Sequence, residues 1–104
     1  LQESEERYQA LFELAPDAYL SITPDGTIAS ANQFSADYLG YSKEELIGSS
    51  AWRTVYEPDL PWVRQWIDSM FRDKVTIGET ELRKVRKDGS VFWIRERSKL
   101  ILDA

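Results

Sequence analysis

The chain of 104 residues has no histidine and no cysteine, and only one methionine. Without cysteine there is no disulfide, no thiolate nucleophile and no zinc ribbon. Without histidine the commonest metal ligand and general base is missing as well. Carboxylates are plentiful, but no Asp-rich loop has the spacing of a calcium site. No apolar run approaches the roughly 18 residues that a membrane span needs, and the stretch from Leu1 is polar, so neither a signal peptide nor an anchor is expected within it. A cytoplasmic location is the expectation. A strong positive charge is also lacking: the formal net charge is -5, which argues against a nucleic-acid surface. Lysine and arginine bunch only in ELRKVRK and IRERSK, interleaved with acids, and are expected on the solvated faces of strands.

What the chain does have is apolar residues at 42%, charged residues at 30% and aromatics from Tyr8 to Trp93, a composition sufficient for one buried core. LQESEERYQALFELAP reads as an amphipathic helix over residues 1–16, with Tyr8, Leu11, Phe12 and Ala15 at helical spacing and Pro16 as the stop. The rest, 17–104, forms one domain. AYLSIT and TIASAN alternate apolar and polar residues around Pro24-Asp25-Gly26, the signature of a hairpin, with Leu20, Ile22 and Ile28 on one face. Asn32 is placed to cap a helix through QFSADYLG, ended by Gly40. Ser42 and Glu45 have capping-box spacing before a second short helix that ends at Gly48.

SSAWRTVYEP reads as a loop, after which Asp59 is expected to cap a helix from Trp62 to Phe71 with Pro61 in its first turn. On that helix Val63, Trp66, Ile67 and Met70 share one broad face, with Trp62 and Phe71 at its margins. Core packing is the simpler reading of this aromatic stretch; a ligand wall is the other. TELRKVRK and SVFWIRERSKLIL, joined at Lys87-Asp88-Gly89, form a second hairpin. Tyr38, Tyr41 and Tyr56 are expected as half-buried rings with hydroxyls at the rim. Arg53 is expected in a surface salt bridge, the alternative being a ligand carboxylate. Glu44, Glu45, Asp59, Asp25 and Asp88 sit at capping or turn positions, so no catalytic group is expected.

Five fragments in order, ERYQALFELAPDA, PDGTIASAN, LGYSKEELIG, EPDL and RKDGSVFWI, make the chain resemble the PAS sensory domains of bacterial histidine kinases and related signalling proteins. The resemblance covers essentially the whole chain. It implies an α+β fold: an antiparallel sheet, short helices and one longer helix over one face, enclosing a small pocket. It also implies a last sheet strand, placed centrally, that this chain lacks; the slot would then be closed by rearrangement or by a segment of another chain, because unpaired buried backbone groups cost about 1–3 kcal/mol each.

The implied function is a sensory or relay module, with a ligand-free dimerisation module as the alternative. Candidate pocket-lining residues are Leu20, Ile22, Ile28, Phe34, Leu39, Trp52, Val55, Val63, Trp66, Ile67, Met70 and Ile94. No cofactor or metal is expected. Haem lacks its usual histidine or cysteine ligand, and the flavin–cysteine adduct of light-oxygen-voltage domains lacks its cysteine. A non-covalent flavin among Trp52, Asn32, Ser49 and Thr54 is the weakest alternative. Expected partners are a second copy, through the first helix and the sheet, an effector domain in the parent chain, and a small-molecule ligand.

Overall fold

The computed structural model describes residues 18–102. The expected helix over 1–16 therefore lies outside the described residues. Strands β1 (Ala18–Ile22) and β2 (Ile28–Ala31) form the first hairpin. Helices α1 (Gln33–Leu39) and α2 (Lys43–Leu46) follow, then two 3-10 turns at Ala51–Thr54 and Glu57–Asp59, the long helix α3 (Leu60–Arg72), and strands β3 (Ile77–Val85) and β4 (Val91–Leu100). The stretch read as a plain loop thus carries two short 3-10 turns, each too brief to show a helical period in sequence.

Local chemistry sets most of these boundaries. The Asn32 side chain accepts from the Ser35 amide, and Gly40 ends α1 in the left-handed region at φ 80°. Ser42 and Glu45 close a reciprocal capping box on α2. Asp59 departs from expectation. It stands at the N-cap position of α3 but makes no capping hydrogen bond, because its carboxylate is taken by Arg83 of β3.

The strands form one four-stranded sheet in the order β2-β1-β4-β3. The hairpin ladders β1–β2 and β3–β4 are antiparallel, whereas β1 and β4 pair directly and in parallel, with Leu20 opposite Ser98 and Ile22 opposite Leu100. The α+β class therefore holds, with one parallel ladder at the centre of a sheet expected to be antiparallel. Among the described residues the expected slot of unpaired backbone does not stand open: β4 supplies the partners β1 needs, so β1 is paired on both sides within the chain. The Ile101 amide adds one more bond to the Ile22 carbonyl, at 2.9 Å.

Alternation decides which face is buried. Leu20, Ile22, Leu82 and Leu100 point to the covered face, where Val63, Ile67 and Met70 of α3 pack with Ile28, Ala36, Leu39 and Leu46 in one core cluster. Trp66 and Phe71 pack against it half-buried and Trp62 is exposed, as the helical spacing requires. Two glycines admit the large rings. A Cβ on Gly78 would lie 2.9 Å from the Trp66 ring, and one on Gly26 would lie 2.2 Å from Trp52 Nε1.

Gly26 also has φ +85°, a conformation that costs an L-residue about 1–2 kcal/mol. Gly89 has φ +89° with open space around it, and so isolates that backbone cost. Gly26→Ala is expected to lower unfolding free energy in urea by more than Gly89→Ala does, the difference measuring the displacement of Trp52. Equal losses in the two variants would show that Trp52 is not held against the hairpin.

Candidate functional site

Between the covered face of the sheet and α3 lies a small cavity of about 20 Å³. That is room for about one water molecule. Its walls are Leu20 and Ile22 of β1, Ala51, Trp52 and Val55 around the first 3-10 turn, and Val63, Trp66 and Ile67 of α3. Its sheet side is formed by Thr80, Leu82 and Lys84 of β3 with Glu96 and Ser98 of β4.

Seven of the twelve candidate pocket residues are therefore brought together here: Leu20, Ile22, Trp52, Val55, Val63, Trp66 and Ile67. The other five lie elsewhere. Ile28, Leu39 and Met70 belong to the core cluster, Ile94 packs half-buried against it, and Phe34 stacks on Tyr38 with ring centroids 5.4 Å apart. Met70 misses the cavity because it is used over Gly78.

The polar side of the cavity corrects the sequence reading most sharply. Lys84 and Glu96, expected on solvated strand faces, are buried at 2% and 5% exposure. Lys84 Nζ lies 3.1 Å from Glu96 Oε2 and donates to Thr54 Oγ1 at 2.7 Å. Thr54 Oγ1 in turn donates to the Ala51 carbonyl at 2.8 Å. In register Lys84 faces Phe92 and Glu96 faces Thr80, so the two long side chains reach diagonally toward each other across the inner face of the hairpin. Each charge is tolerable there only because the other compensates it.

The neighbouring arginine points the other way. Arg83 binds Asp59 in a two-pronged contact, Nε to Oδ2 at 2.9 Å and Nη2 to Oδ1 at 2.6 Å, and stacks on Tyr56 and Trp93. Hydrogen bonds from Arg83 hold the Asp59 carboxyl below the usual aspartate range. This clamp ties the start of α3 to β3 outside the cavity. Two other arginines also lie over rings: Arg53 on Tyr41 at 4.6 Å and Arg86 on Phe92 at 3.9 Å. Arg53 donates to the Glu45 carbonyl and to Ser49 Oγ at the surface, so the expected surface salt bridge is replaced by a cation–π contact.

Asn32 and Ser49, considered as amide or hydroxyl partners for a ring system, are committed locally. Asn32 caps α1 and Ser49 Oγ donates to the Leu46 carbonyl. The cavity volume is far below the several hundred Å³ of an ordinary cofactor site. The residues as arranged therefore do not fit an isoalloxazine or a porphyrin. Among the described residues no group of three or more acidic, histidine or cysteine side chains could hold a metal ion, and no helix is long and apolar enough to cross a membrane.

A sheet of this strand order, capped by a tryptophan-bearing helix over a small cavity, is the frame that holds the site. Residues 28–104 match the family described as PAS fold. The PAS domain of an HTR-like protein from Haloarcula marismortui is 30% identical, with 93% of this chain and 83% of that one covered at a TM-score of 0.67. A PAS domain from Colwellia psychrerythraea is 27% identical, covering 89% of this chain and 77% of that one, with a TM-score of 0.74. A domain of a sensory box sensor histidine kinase/response regulator from Geobacter sulfurreducens is similar in fold at 18% identity, covering 96% and 86%, with a TM-score of 0.76. The chain belongs to the PAS-fold family, and its fold is that of a sensory module of signalling proteins.

Removing one partner of the buried pair leaves the other charge uncompensated. Lys84→Met is expected to cost about 3–5 kcal/mol of unfolding free energy, whereas Lys84→Met combined with Glu96→Leu recovers most of that loss. Denaturant titration of the two proteins checks this. A double variant no more stable than the single one would mean that the two charges do not compensate each other.

Proposed function

We propose that this PAS domain is a sensory or relay module within a larger cytoplasmic signalling protein, a sensor histidine kinase or similar two-component protein. It is not itself catalytic and works without a prosthetic group. A small molecule entering the cavity changes the packing of α3 on the sheet, and the sheet passes that change to an effector domain in the parent chain. The observation that carries this reading is the small cavity beneath α3 with the buried Lys84–Glu96 pair among its lining residues. This largely apolar hollow beneath the long helix is where a ligand could bind one arrangement of α3 more tightly than another, and only such a difference shifts an equilibrium. Half-buried Trp52 and Trp66 at its edge are the side chains that entry would displace.

Ala51 lines the cavity and is itself buried, so Ala51→Val occupies the hollow from within at an overpacking cost of about 1–3 kcal/mol. In the full-length parent protein this variant is expected to remain folded, by circular dichroism, and to lose the modulation of its output. A folded variant whose output matches wild type under every condition would overturn the ligand-driven reading.

A second reading, a constitutive dimerisation module, draws on the outer face of the sheet. There Trp93 is 64% exposed, with Val91 at 45% and Ile77 at 49%. Apolar exposure of this kind suits contact with a second copy. Concentration-dependent mass, measured with and without residues 1–15, tests the part assigned to the first helix: association is expected to weaken on removal, and an unchanged association state would refute that part.

A further inference from the structure

Resting on the ligand-driven reading above, we infer that the site takes a small uncharged molecule carrying both a hydrogen-bond donor and an acceptor, and rejects small anions and cations of the same shape.

The inference follows from the electrostatic state of the lining. Lys84 Nζ and Glu96 Oε2 are both buried and 3.1 Å apart, an ion pair whose formal charges sum to zero. A lysine alone in such a place would recruit an anion, and a glutamate alone a cation. Paired, each has already satisfied the other. An entering carboxylate would set two negative groups against one ammonium, and an entering cation two positive groups against one carboxylate; either leaves an uncompensated charge out of water.

Hydrogen-bonding capacity survives the pairing. An ammonium has three N–H donors, and those of Lys84 reach Thr54 Oγ1 and Glu96 Oε2, which uses two. A carboxylate has about four acceptor positions, of which the lysine occupies one. The rest of the lining adds the Ser98 and Thr80 hydroxyls among Leu20, Ile67 and Leu82. The lining therefore offers mostly apolar surface with a few polar positions and zero net formal charge, which is the complement of a neutral amphiphile such as a primary amide or a short alcohol. The volume of about 20 Å³ limits the closed state to a molecule of water size, so a larger member of the class requires Trp66 or Trp52 to move outward.

Three planar molecules of nearly identical shape, acetamide, acetate and acetamidinium, carry charges of zero, minus one and plus one. Titrated into the isotopically labelled protein, acetamide is expected to shift the backbone amide signals of Lys84, Ser98 and Ile67, with acetate and acetamidinium at least about tenfold weaker. Glu96→Gln keeps the shape and removes the negative charge, so acetate should then bind and raise the melting temperature of the variant; Lys84→Met should gain acetamidinium in the same way. These mirror-image gains test the inference even where either variant is marginally folded, because binding to the native state is read as recovered stability. Acetate or acetamidinium binding the wild-type protein as tightly as acetamide would overturn the charge selectivity while leaving a ligand-binding cavity in place. Silence of all three probes on the wild type, together with no gain by either variant, would overturn the cavity as a binding site and with it the ligand-driven reading.

Discussion

A lysine ammonium and a glutamate carboxylate, held against each other beneath a helix, set the character of this molecule. Either charge placed in an apolar interior without a partner would be costly. Together, with the Thr54 hydroxyl taking another of the lysine's donors, they let the inner face of the β3–β4 hairpin stay polar where the other strand positions of that face are apolar or small. The long helix consequently cannot close on the sheet as one continuous apolar layer. A hollow of about 20 Å³ persists at that place, and the most specific chemistry of the domain is concentrated there.

The surroundings of the pair are arranged by simpler means. Direct parallel pairing of β1 with β4 joins the two hairpins into one sheet and brings Leu20 and Ile22 alongside Ser98 and Leu100. Glycine governs where the tryptophans lie: the absent side chain at Gly26 receives Trp52, and that at Gly78 receives Trp66 and Met70. Both rings are half-buried, packed against the core on one side, and they form the edge of the cavity. The clamp from Arg83 to Asp59 holds the beginning of α3 to the sheet from outside. Further along α3, Trp66 and Met70 lie over Gly78 of β3.

Adjacent residues show how far sequence reading reaches. Alternation along RKV makes it plain that Arg83 and Lys84 point to opposite faces of a strand, but not which of them is buried. Local spacing puts both in solvent, since an unpaired buried lysine is costly and a partner 12 positions away cannot be recognised from neighbouring residues. The error has one cause: Glu96 compensates Lys84 across a hairpin, diagonally and not in register. Asp59 was misjudged for a related reason. Its place before a helix made it look like a cap, whereas a guanidinium 24 positions later competes for it and wins with two charged hydrogen bonds.

Elements written in short-range chemistry were fully legible: the hairpin glycines, the Asn32 cap, the capping box at Ser42, the stripe of Val63, Ile67 and Met70, and the family resemblance carried by five ordered fragments. So was most of the apolar half of the cavity wall, because helical and strand periodicity say which side chains face inward. Its polar half, the parallel contact at the centre of the sheet and the seating of each tryptophan against a particular glycine came only with the folded chain. Those features depend on which distant groups meet, and burial is affordable for a charge only once its partner has arrived, a condition that no local run of residues expresses.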